Sequence, residues 1–564
     1  MDHFSLSYDQ LPMTEPYMYC TIPDRLQYYA TDTPNKAAFI IHSKSGSREV
    51  ITCKDLYQQS QTFAKGLVHL GIKKNDTIGL SFPNSKEWLV STFGILMAGA
   101  VPLHMTFKYK YGRDIIPVLQ IPGNCKAILM ANEKDNSIRD FLNNILTRSE
   151  TETKKMELKK ERLIPSLKFV ALDNSITGFE DCCTISDILI TGTKYQNITL
   201  PFLDPDDIAA FLLTSGSTGI SKLVPKTHLQ MLEVGQGFVA ALNMESCDVY
   251  FSDRLFDWGA GYPCIFLVCG ATHVTSSDQF TLQSISEICN FTIKIIKQDN
   301  CTVCQILPAL AMEILKRDKN EISPRVLATG GVPVPKQCAQ VVPRVCKEFI
   351  CIYGTTEMGG VSVKRSQAAS DFSDYNIGKP WPGVEMKVVD TEGKTMPRNE
   401  VGELFVRNRF AFGGYHRNPD KTNKVLGTDG WYKTDDIAFM NENGDFTVTG
   451  RCSDIILCHA ELISPSYIED EIKIHPAVAE VCVVPVSDPV CFQKVCACIV
   501  LRKGSLLSED ELILYLSAGA NSQIKYLENS RIYLFFESFP KTAVGKIFRR
   551  GVKEEAEQRV NGRQ

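Results

Sequence analysis

The first part of the chain alternates short apolar runs with longer segments of helical period. Residues 37–41, 77–82 and 126–130 are apolar runs of strand length. Between the second and third runs, residues 87–98 place their apolar side chains on a helical period. Strands that alternate with helices are typical of α/β domains with largely parallel sheets. We therefore expect an α/β fold whose large domain has parallel sheets with helices on their faces.

The pattern changes after residue 383. Residues 385–389 and 402–406 are shorter strand-like runs separated by turn residues, which indicates a small β subdomain. From Arg451 onward, helical and strand-like patterns mix in a segment of ordinary domain size. Because 564 residues exceed what one compact core usually holds, the sequence predicts two domains. The large N-terminal domain would span residues 1–450, and a small α+β C-terminal domain would span residues 451–564.

Composition and charge exclude several classes of protein. A hydrophobic content of 44% with 22% charged residues is typical of globular proteins, and a net charge of -4 does not suit a general nucleic-acid binder. No apolar run is long enough for a transmembrane helix. The first ten residues have neither the basic nor the apolar region of a targeting segment, and residues 561–564 do not form a peroxisomal signal. We therefore expect a cytoplasmic protein.

The cysteines and one charged segment have ordinary structural explanations. Most of the 20 cysteines lie in apolar runs, where a free thiol acts as a small hydrophobic group. Cys301 and Cys304 have the spacing of half a zinc site, but no second pair lies at a matching interval. We expect reduced thiols rather than zinc ligands. Residues 149–162 are charged and poor in apolar side chains, which predicts a solvated helix or a loop.

A loop rich in hydroxyl groups and glycine follows the apolar run at residues 208–213. Its two glycines let the backbone turn N–H groups toward an anion, and a lysine at its end adds a mobile positive charge. Its spacing is not that of a Walker loop. The loop predicts phosphate binding, with a solvated turn as the alternative when it is taken alone. It comprises Thr214, Ser215, Gly216, Ser217, Thr218, Gly219, Ile220, Ser221 and Lys222.

Five further motifs follow this loop along the chain. They are Thr329-Gly330-Gly331-Val332-Pro333, Tyr353-Gly354-Thr355-Thr356-Glu357, Gly430-Trp431-Tyr432-Lys433-Thr434-Asp435-Asp436, Gly450-Arg451-Cys452-Ser453-Asp454 and Pro540-Lys541-Thr542-Ala543-Val544-Gly545-Lys546. In this order the motifs resemble the adenylate-forming superfamily, which includes acyl-CoA synthetases, carrier-protein adenylation domains and beetle-type luciferases. The resemblance extends over nearly the whole chain. It implies an AMP-forming acid–thiol ligase with a mobile C-terminal domain, using ATP, Mg²⁺ and coenzyme A.

The resemblance also implies a role for individual residues. The loop at residues 214–222 would hold the β- and γ-phosphates of ATP, and Glu357 would bind Mg²⁺, a hard cation that takes carboxylate and phosphate oxygens. Thr356 would contact the α-phosphate, and Lys546 would reach the reacting carboxylate and the α-phosphate. Tyr353 would lie against adenine. The other implied nucleotide-binding residues are Gly330, Gly331, Gly354, Thr355, Asp436 and Arg451, the last two on the ribose.

A group of aromatic residues and glycines corresponds to the helix start that lines the acyl pocket in the family. Its aromatic side chains would form a wall beside which the glycines leave room, although core packing is an equally good explanation for each aromatic side chain. The surrounding sequence is similar to medium-chain acyl-CoA synthetases, which implies an apolar acid of medium length. One wall would contain Phe256, Trp258, Gly259, Gly261 and Tyr262, and the other Gly330, Gly331, Met358, Gly359 and Gly360.

Two parts of the chain depart from the family pattern. Ser453 stands where the hinge residue is usually Lys or Asp, and His459 and Ala460 replace two glycines of the loop that lines the thiol tunnel. The added side chains would narrow that passage and restrict its backbone. The adenylation residues are intact, so we expect an acyl-CoA synthetase. The alternatives are another acceptor, through luciferase-like oxidation or a carrier protein, or a nucleotide-binding protein without turnover.

Overall fold

The computed structural model of the chain describes most of the sequence. The described residues are 6–13, 15–105, 115–131, 136–148, 156–159, 163–174, 179, 182–214, 222–278, 284–317, 322–454, 456–458, 461–463, 465–488, 492–517, 531–541 and 546–561. Among them, no helix is both long and apolar enough to cross a membrane. Most of the segment at residues 149–162, for which we predicted a solvated helix or a loop, lies outside the described residues, but its described part includes a short strand at Met156–Leu158.

The strands coincide closely with the apolar runs of the sequence. Runs 37–41 and 126–130 are β2 and β6, each extended by one residue. The strands are β1 (Tyr8–Leu11), β2 (Ala37–His42), β3 (Arg48–Thr52), β4 (Thr77–Ser81), β5 (Val101–His104), β6 (Cys125–Met130), β7 (Leu146–Arg148), β8 (Met156–Leu158), β9 (Phe169–Leu172), β10 (Cys183–Thr184), β11 (Ile208–Thr214), β12 (Lys222–Thr227), β13 (Val249–Ser252), β14 (Thr272–Ser276), β15 (Val303–Gln305), β16 (Val326–Gly330), β17 (Glu348–Thr355), β18 (Gly359–Ser366), β19 (Asn376–Pro380), β20 (Val384–Val389), β21 (Gly402–Asn408), β22 (Tyr432–Met440), β23 (Phe446–Arg451), β24 (Ile456–Cys458), β25 (Glu461–Ile463), β26 (Val478–Asp488), β27 (Phe492–Leu501) and β28 (Arg531–Phe536).

Several helices begin at a hydroxyl residue whose side chain accepts a hydrogen bond from the backbone of the first turn. Such N-caps are Thr21, Thr52, Ser85, Thr184, Thr227 and Ser284. The helices are α1 (Ile22–Asp32), α2 (Cys53–His69), α3 (Lys86–Met97), α4 (Ile115–Gln120), α5 (Asn136–Ile145), α6 (Ile185–Lys194), α7 (His228–Leu242), α8 (Cys264–Cys269), α9 (Ile285–Gln298), α10 (Pro308–Leu315), α11 (Pro419–Val425), α12 (Pro465–Lys473), α13 (Glu509–Ser517) and α14 (Arg549–Asn561).

The largest sheet has 14 strands in the order β1-β20-β21-β22-β23-β19-β18-β17-β16-β15-β13-β14-β2-β3. Strands β2, β14, β13, β15, β16 and β17 are parallel, as expected from the sequence. From β17 to β1 the pairs are antiparallel. The predicted small β subdomain is therefore continuous with the parallel sheet. The carboxyl ends of β13, β15, β16 and β17 meet at one edge, where α/β proteins usually bind ligands.

A second sheet has seven strands in the order β10-β9-β6-β4-β5-β11-β12. Its pairs are parallel except for β11 and β12, which form an antiparallel pair that ends with Thr214 opposite Lys222. Strands of both sheets share one hydrophobic core with helices α2, α3 and α7. The hairpin of β11 and β12 thus carries the two ends of the predicted phosphate loop on a packed framework.

Helices α2 and α6 approach each other closely at glycine, and this contact gives a testable prediction. A Cβ atom on Gly192 would lie 1.8 Å from the backbone oxygen of Thr62. We expect Gly192→Ala to lower the free energy of unfolding by about 1–3 kcal/mol, because a backbone obstruction cannot rotate away as a side chain can. Chemical denaturation measures this change. Gly413→Ala is the control, since a Cβ there would meet no atom within 4 Å. Equal denaturation midpoints for Gly192→Ala and Gly413→Ala would contradict the close packing of α2 and α6 at Gly192.

The C-terminal part of the chain forms a separate five-stranded sheet in the order β25-β24-β27-β26, with β28 parallel to β27. Helices α12 and α14 pack against β26, and the sheet has its own hydrophobic clusters. The expected α/β fold with a separate α+β C-terminal domain is thereby confirmed, while the boundary at Arg451 stays a prediction. Tyr375 donates a hydrogen bond to Asp470 of α12, so this sheet is tied to the large one.

Candidate functional site

A phenol from β17, a carboxylate from β22 and a guanidinium from β23 meet in one cluster. Tyr353 Oη donates to Asp436 Oδ2 at 2.5 Å, and Arg451 Nε lies 2.9 Å from Asp436 Oδ1. The β22–β23 register places Asp436 opposite Arg451. Burial raises the pKa of Asp436, while the Arg451 charge and the Tyr353 hydrogen bond oppose that rise. The structure thus brings together three residues predicted to bind the nucleoside.

Glu357 lies in the turn between β17 and β18 and is linked to the phosphate loop by a residue that sequence reasoning missed. Tyr415 Oη donates to Glu357 Oε1 at 2.6 Å and accepts from Lys222 Nζ at 2.9 Å. Burial lowers the pKa of Lys222, and the Glu357 charge partly offsets this effect. The end of the predicted loop therefore lies beside the predicted metal ligand. Residues 215–221 of that loop lie outside the described residues.

The peptide that carries Glu357 is fixed from behind by a buried lysine. Lys226 Nζ donates to the backbone oxygen of Glu357 at 2.6 Å and to that of Phe410 at 3.4 Å. Burial lowers the pKa of Lys226 to about 7. This lysine gave no signal in the sequence, because it lies in an otherwise strand-like run. Its contacts hold the Glu357 carboxylate at the carboxyl end of β17.

Glu357 suits Mg²⁺ as a single protein ligand. Tyr415 engages its Oε1 atom, and no described residue donates a hydrogen bond to its Oε2 atom. Within the described part of the chain, no group of three or more His, Cys, Asp or Glu residues could hold a metal ion. A cation at Glu357 could take further ligands from phosphate and water. Mg²⁺ is commonly held in this way, by one or two carboxylates and substrate phosphates.

Lys546 reaches from the C-terminal domain to the glycine pair at the end of β16. Its Nζ atom donates to the Gly331 backbone oxygen at 3.3 Å. Gly330 must be glycine, because a Cβ would lie 2.0 Å from the Ile352 oxygen, and Gly331 has a φ of +78°. Loss of hydration lowers the pKa of Lys546, and the charges of Arg451 and Arg254 lower it further. The lysine thus lies in a positively charged part of the cleft.

The residues predicted to line the acid pocket separate into two groups. Trp258 and Gly259 are partly exposed. Phe256 packs in the core against Phe39 and Trp88, and Tyr262 is likewise buried against Trp88. For these two aromatic side chains, the core alternative describes what the structure shows. Trp258 and Gly259 stay the better candidates for contact with an acid.

The other predicted pocket residues are mostly held by close packing. A Cβ on Gly261 would lie 1.9 Å from the Leu255 oxygen, and one on Gly360 would lie 1.9 Å from the Trp381 ring. Met358 is fully buried, and Gly359, at φ +75°, faces Val234. Glycine is therefore required at Gly261, Gly359 and Gly360 because a larger residue would clash with its neighbours. These contacts leave the predicted role in acid binding untested.

Comparison with known proteins identifies the family. The profile of the AMP-binding enzyme family matches residues 26–416, and that of the AMP-binding enzyme C-terminal domain matches residues 467–546. The chain belongs to the AMP-binding enzyme family. Among the relatives of this AMP-binding enzyme is the mitochondrial medium-chain acyl-CoA ligase ACSF2 of Bos taurus, 26% identical over 96% of this chain and 88% of the relative. The putative acyl-CoA synthetase YngI of Bacillus subtilis is 27% identical over 96% of this chain and 98% of its own.

Solved structures confirm the fold of this AMP-binding enzyme. The anthranilate CoA ligase AuaEII, in complex with anthranoyl-AMP, superposes with a TM-score of 0.78 at 21% identity, covering 97% of this chain and 99% of that one. ATP-bound MatB from Rhodopseudomonas palustris gives a TM-score of 0.75 at 19% identity, with 96% and 99% coverage. At these identities the likeness establishes the fold alone.

In this AMP-binding enzyme the predicted nucleotide residues converge on one edge of the large sheet. Strand β16 ends at Gly330, and Gly331 follows it. Strand β17 ends with Tyr353, Gly354 and Thr355, and Thr356 and Glu357 follow directly. The antiparallel strands beside them contribute Asp436 and Arg451, and the C-terminal domain contributes Lys546. Thr214 and Lys222 pair at the loop end of the β11–β12 hairpin, which faces these residues. The individual roles of these residues stay predictions.

Proposed function

We propose that this enzyme is an AMP-forming acid–CoA ligase that acts on a medium-chain carboxylic acid. The observation that carries the proposal is the contact of Lys546, from the C-terminal domain, with the glycine pair of the large domain, in the same cleft as Glu357 and Asp436. Activation of an acid by ATP requires a positive charge, a metal ligand and a hydrogen-bond acceptor for the ribose. Lys546, Glu357 and Asp436 would supply these groups in turn. The relatives named as acyl-CoA ligases support the same reaction.

In the first step, a carboxylate oxygen of the acid attacks the α-phosphorus of ATP. A new P–O bond forms, the bond to the β-phosphate oxygen breaks, and pyrophosphate leaves with its electron pair. Lys546 would neutralise the charge that gathers between the carboxylate and the α-phosphate. Lys222 would hold the departing phosphates, and Glu357 would supply a carboxylate ligand to Mg²⁺, which offsets polyphosphate charge when bound.

In the second step, the thiolate of coenzyme A attacks the carbonyl carbon of the acyl-AMP. The C–S bond forms and the C–O bond to AMP breaks, so no covalent bond to the protein is needed. Positioning of the two reactants supplies most of the acceleration. We assign this step to a rearranged C-terminal domain, with residues 451–564 as the moving unit and Ser453 as its hinge.

The tunnel loop, which bears on the choice of acceptor, departs from the family pattern. His459 and Ala460 lie outside the described residues, and Ser453 belongs to the short turn Cys452–Asp454. An enzyme that adenylates the acid and passes it to another acceptor, a carrier protein or an oxidative step, is the second candidate. This second candidate is favoured by His459 and Ala460, which are bulkier than the two glycines usual in the tunnel loop of the family.

Pyrophosphate release from ATP tests both candidates. The assay uses acids of two to sixteen carbons and a set of aromatic acids, each with and without coenzyme A. Release that depends on a medium-chain acid and yields AMP and a thioester supports the ligase. Release that ignores coenzyme A favours another acceptor, and the absence of release with every acid contradicts the enzymatic proposal.

The link between Lys222 and Glu357 gives a prediction about the metal site. We expect Tyr415→Phe to raise the Mg²⁺ concentration needed for half-maximal pyrophosphate release by about threefold to tenfold, because one hydrogen bond to the carboxylate is lost. Titration with Mg²⁺ at saturating ATP measures it. Tyr8→Phe is the control, since Tyr8 Oη donates to Glu385 at 2.9 Å on the far edge of the sheet. A Mg²⁺ dependence equal to that of the control would refute the link.

A further inference from the structure

Arg254 is a buried arginine at the ligand-binding edge of the large sheet. It follows β13 and is 3% exposed. Its Nη2 atom donates to the backbone oxygens of Gly330 at 3.1 Å and Ile306 at 3.4 Å, which lie at the carboxyl ends of β16 and β15. Three neighbouring strand ends are therefore joined by one guanidinium. None of the predicted roles uses this residue.

The guanidinium retains donors that the protein does not use. Its Nε atom forms a buried ion pair with Asp253 Oδ1 at 3.4 Å but no hydrogen bond, and its Nη1 atom donates to no described residue. Asp253 Oδ2 accepts instead from the Leu307 backbone N–H at 2.6 Å. A buried guanidinium with free N–H groups is costly unless an acceptor arrives. A carboxylate is the acceptor whose shape fits that fork.

Arg254 and Lys546 are held on adjacent peptide oxygens. Arg254 donates to the Gly330 oxygen and Lys546 to the Gly331 oxygen. The two positive charges are close enough that Arg254, together with Arg451, lowers the pKa of Lys546. Like charges disfavour each other unless an anion lies near both. The cleft therefore offers an anion two cations, one from each domain.

We propose that Arg254 binds the reacting carboxylate of the acid as a second cation, fixed to the large sheet. This inference rests on the proposed function. Lys546 belongs to the C-terminal domain, so its place depends on how the domains are arranged, whereas Arg254 is tied to the ends of β15 and β16. After the acyl-AMP has formed, Arg254 would stay beside the acyl carbonyl. It would then stabilise the oxyanion that forms when the thiolate attacks, before the C–O bond to AMP breaks.

The test compares Arg254→Gln and Arg254→Lys in the full chain, with each half-reaction measured separately. We expect Arg254→Gln to raise the KM for the acid by about tenfold or more while the KM for ATP changes little, because a charge-assisted contact to the carboxylate is lost. Transfer from synthetic acyl-AMP to coenzyme A should slow as well. Arg254→Lys should recover part of both losses, since the charge is kept. The alkaline limit of pyrophosphate release should move to higher pH in Arg254→Gln, because one of the two arginine charges that lower the pKa of Lys546 is then removed.

Arg325→Gln is the matched control for a purely structural arginine. Arg325 lies at the opposite edge of the same sheet and contacts Asp248 at 2.6 Å. An unchanged KM for the acid in Arg254→Gln would overturn the proposal. The proposal would also be overturned if Arg254→Gln and Arg325→Gln lost stability and activity to the same extent. If the wild type ignores coenzyme A, the KM for the acid still decides the role of Arg254.

A binding measurement separates this inference from the proposed function. If the wild type releases no pyrophosphate with any acid, calorimetry with octanoate in the presence of AMP decides the question. Weaker binding of octanoate to Arg254→Gln than to the wild type would support the carboxylate site. Equal affinity, or the absence of binding to both proteins, would overturn it.

Discussion

Lys546→Ala should lower acid-dependent pyrophosphate release by about 10²- to 10³-fold, the usual cost of removing one preorganised donor from a developing anion. The lysine contacts the Gly331 oxygen from the C-terminal domain, and loss of hydration together with two nearby arginines lowers its pKa. In the proposed reaction, the carboxylate and the α-phosphate would meet beside it. Transfer of the acyl group from synthetic acyl-AMP to coenzyme A should be nearly unchanged. Single-turnover assays of the two half-reactions measure this difference.

Lys541→Ala is the matched control for this prediction. Lys541 lies five residues before Lys546 in the sequence, and it forms an exposed ion pair with Glu480 at 2.8 Å. Exposed ion pairs contribute little to stability, so the control should adenylate at the wild-type rate. If Lys546→Ala and Lys541→Ala released pyrophosphate equally fast, the catalytic role of Lys546 would be refuted.

Strand positions could be predicted from the sequence because burial sets them locally. The runs at residues 126–130 and 208–213 differ from β6 and β11 by a single residue. A strand buried on both faces is apolar along its length, whatever its neighbours are. The pairing of strands was harder to predict. In the antiparallel half of the large sheet, the pairs β1–β20 and β19–β23 join segments that lie far apart in the sequence.

The parts of the site that were missed depend on contacts between distant segments. Tyr415 lies 58 residues after Glu357, and Lys226 lies 131 residues before it. A tyrosine in a glycine-rich turn and a lysine within a strand-like run have ordinary explanations when read alone. Only the fold places one phenol between Lys222 and Glu357 and one ammonium behind the Glu357 peptide. Motif order could predict which residues meet, but it could not predict the residues that hold them.

The site joins groups from the large sheet and from the C-terminal domain. Glu357, Asp436 and Arg254 belong to strands or turns of the large sheet, whereas Lys546 arrives from the C-terminal domain. In the proposed reaction, the groups of the large sheet would keep the nucleotide and the acid in place. Lys546 would leave the cleft after the first step, and the thiol of coenzyme A would enter for the second. An enzyme with two chemical steps can in this way present different groups to one bound intermediate.

The second large effect is expected at the nucleoside end of the cleft. Asp436→Asn should raise the KM for ATP by about 10- to 100-fold, because the ribose loses a charged acceptor. Burial raises the pKa of Asp436, so in the wild type the KM for ATP should rise as the pH falls through that raised pKa. Because Asn does not titrate, the KM for ATP of the variant should not show this rise at low pH. Measuring the KM for ATP against pH in both proteins tests the two expectations together.

Asp445→Asn separates nucleotide binding from loss of stability. Asp445 is also a buried carboxylate of the same sheet, and it contacts Lys364 at 2.7 Å at the turn between β22 and β23. Removing either carboxylate leaves a cation without its partner, which destabilises the protein. Only Asp436 shares a hydrogen bond with Tyr353, the residue expected to face adenine. A KM for ATP that rises equally in both variants would assign the Asp436 effect to stability, whereas a rise confined to Asp436→Asn would assign it to the ribose contact.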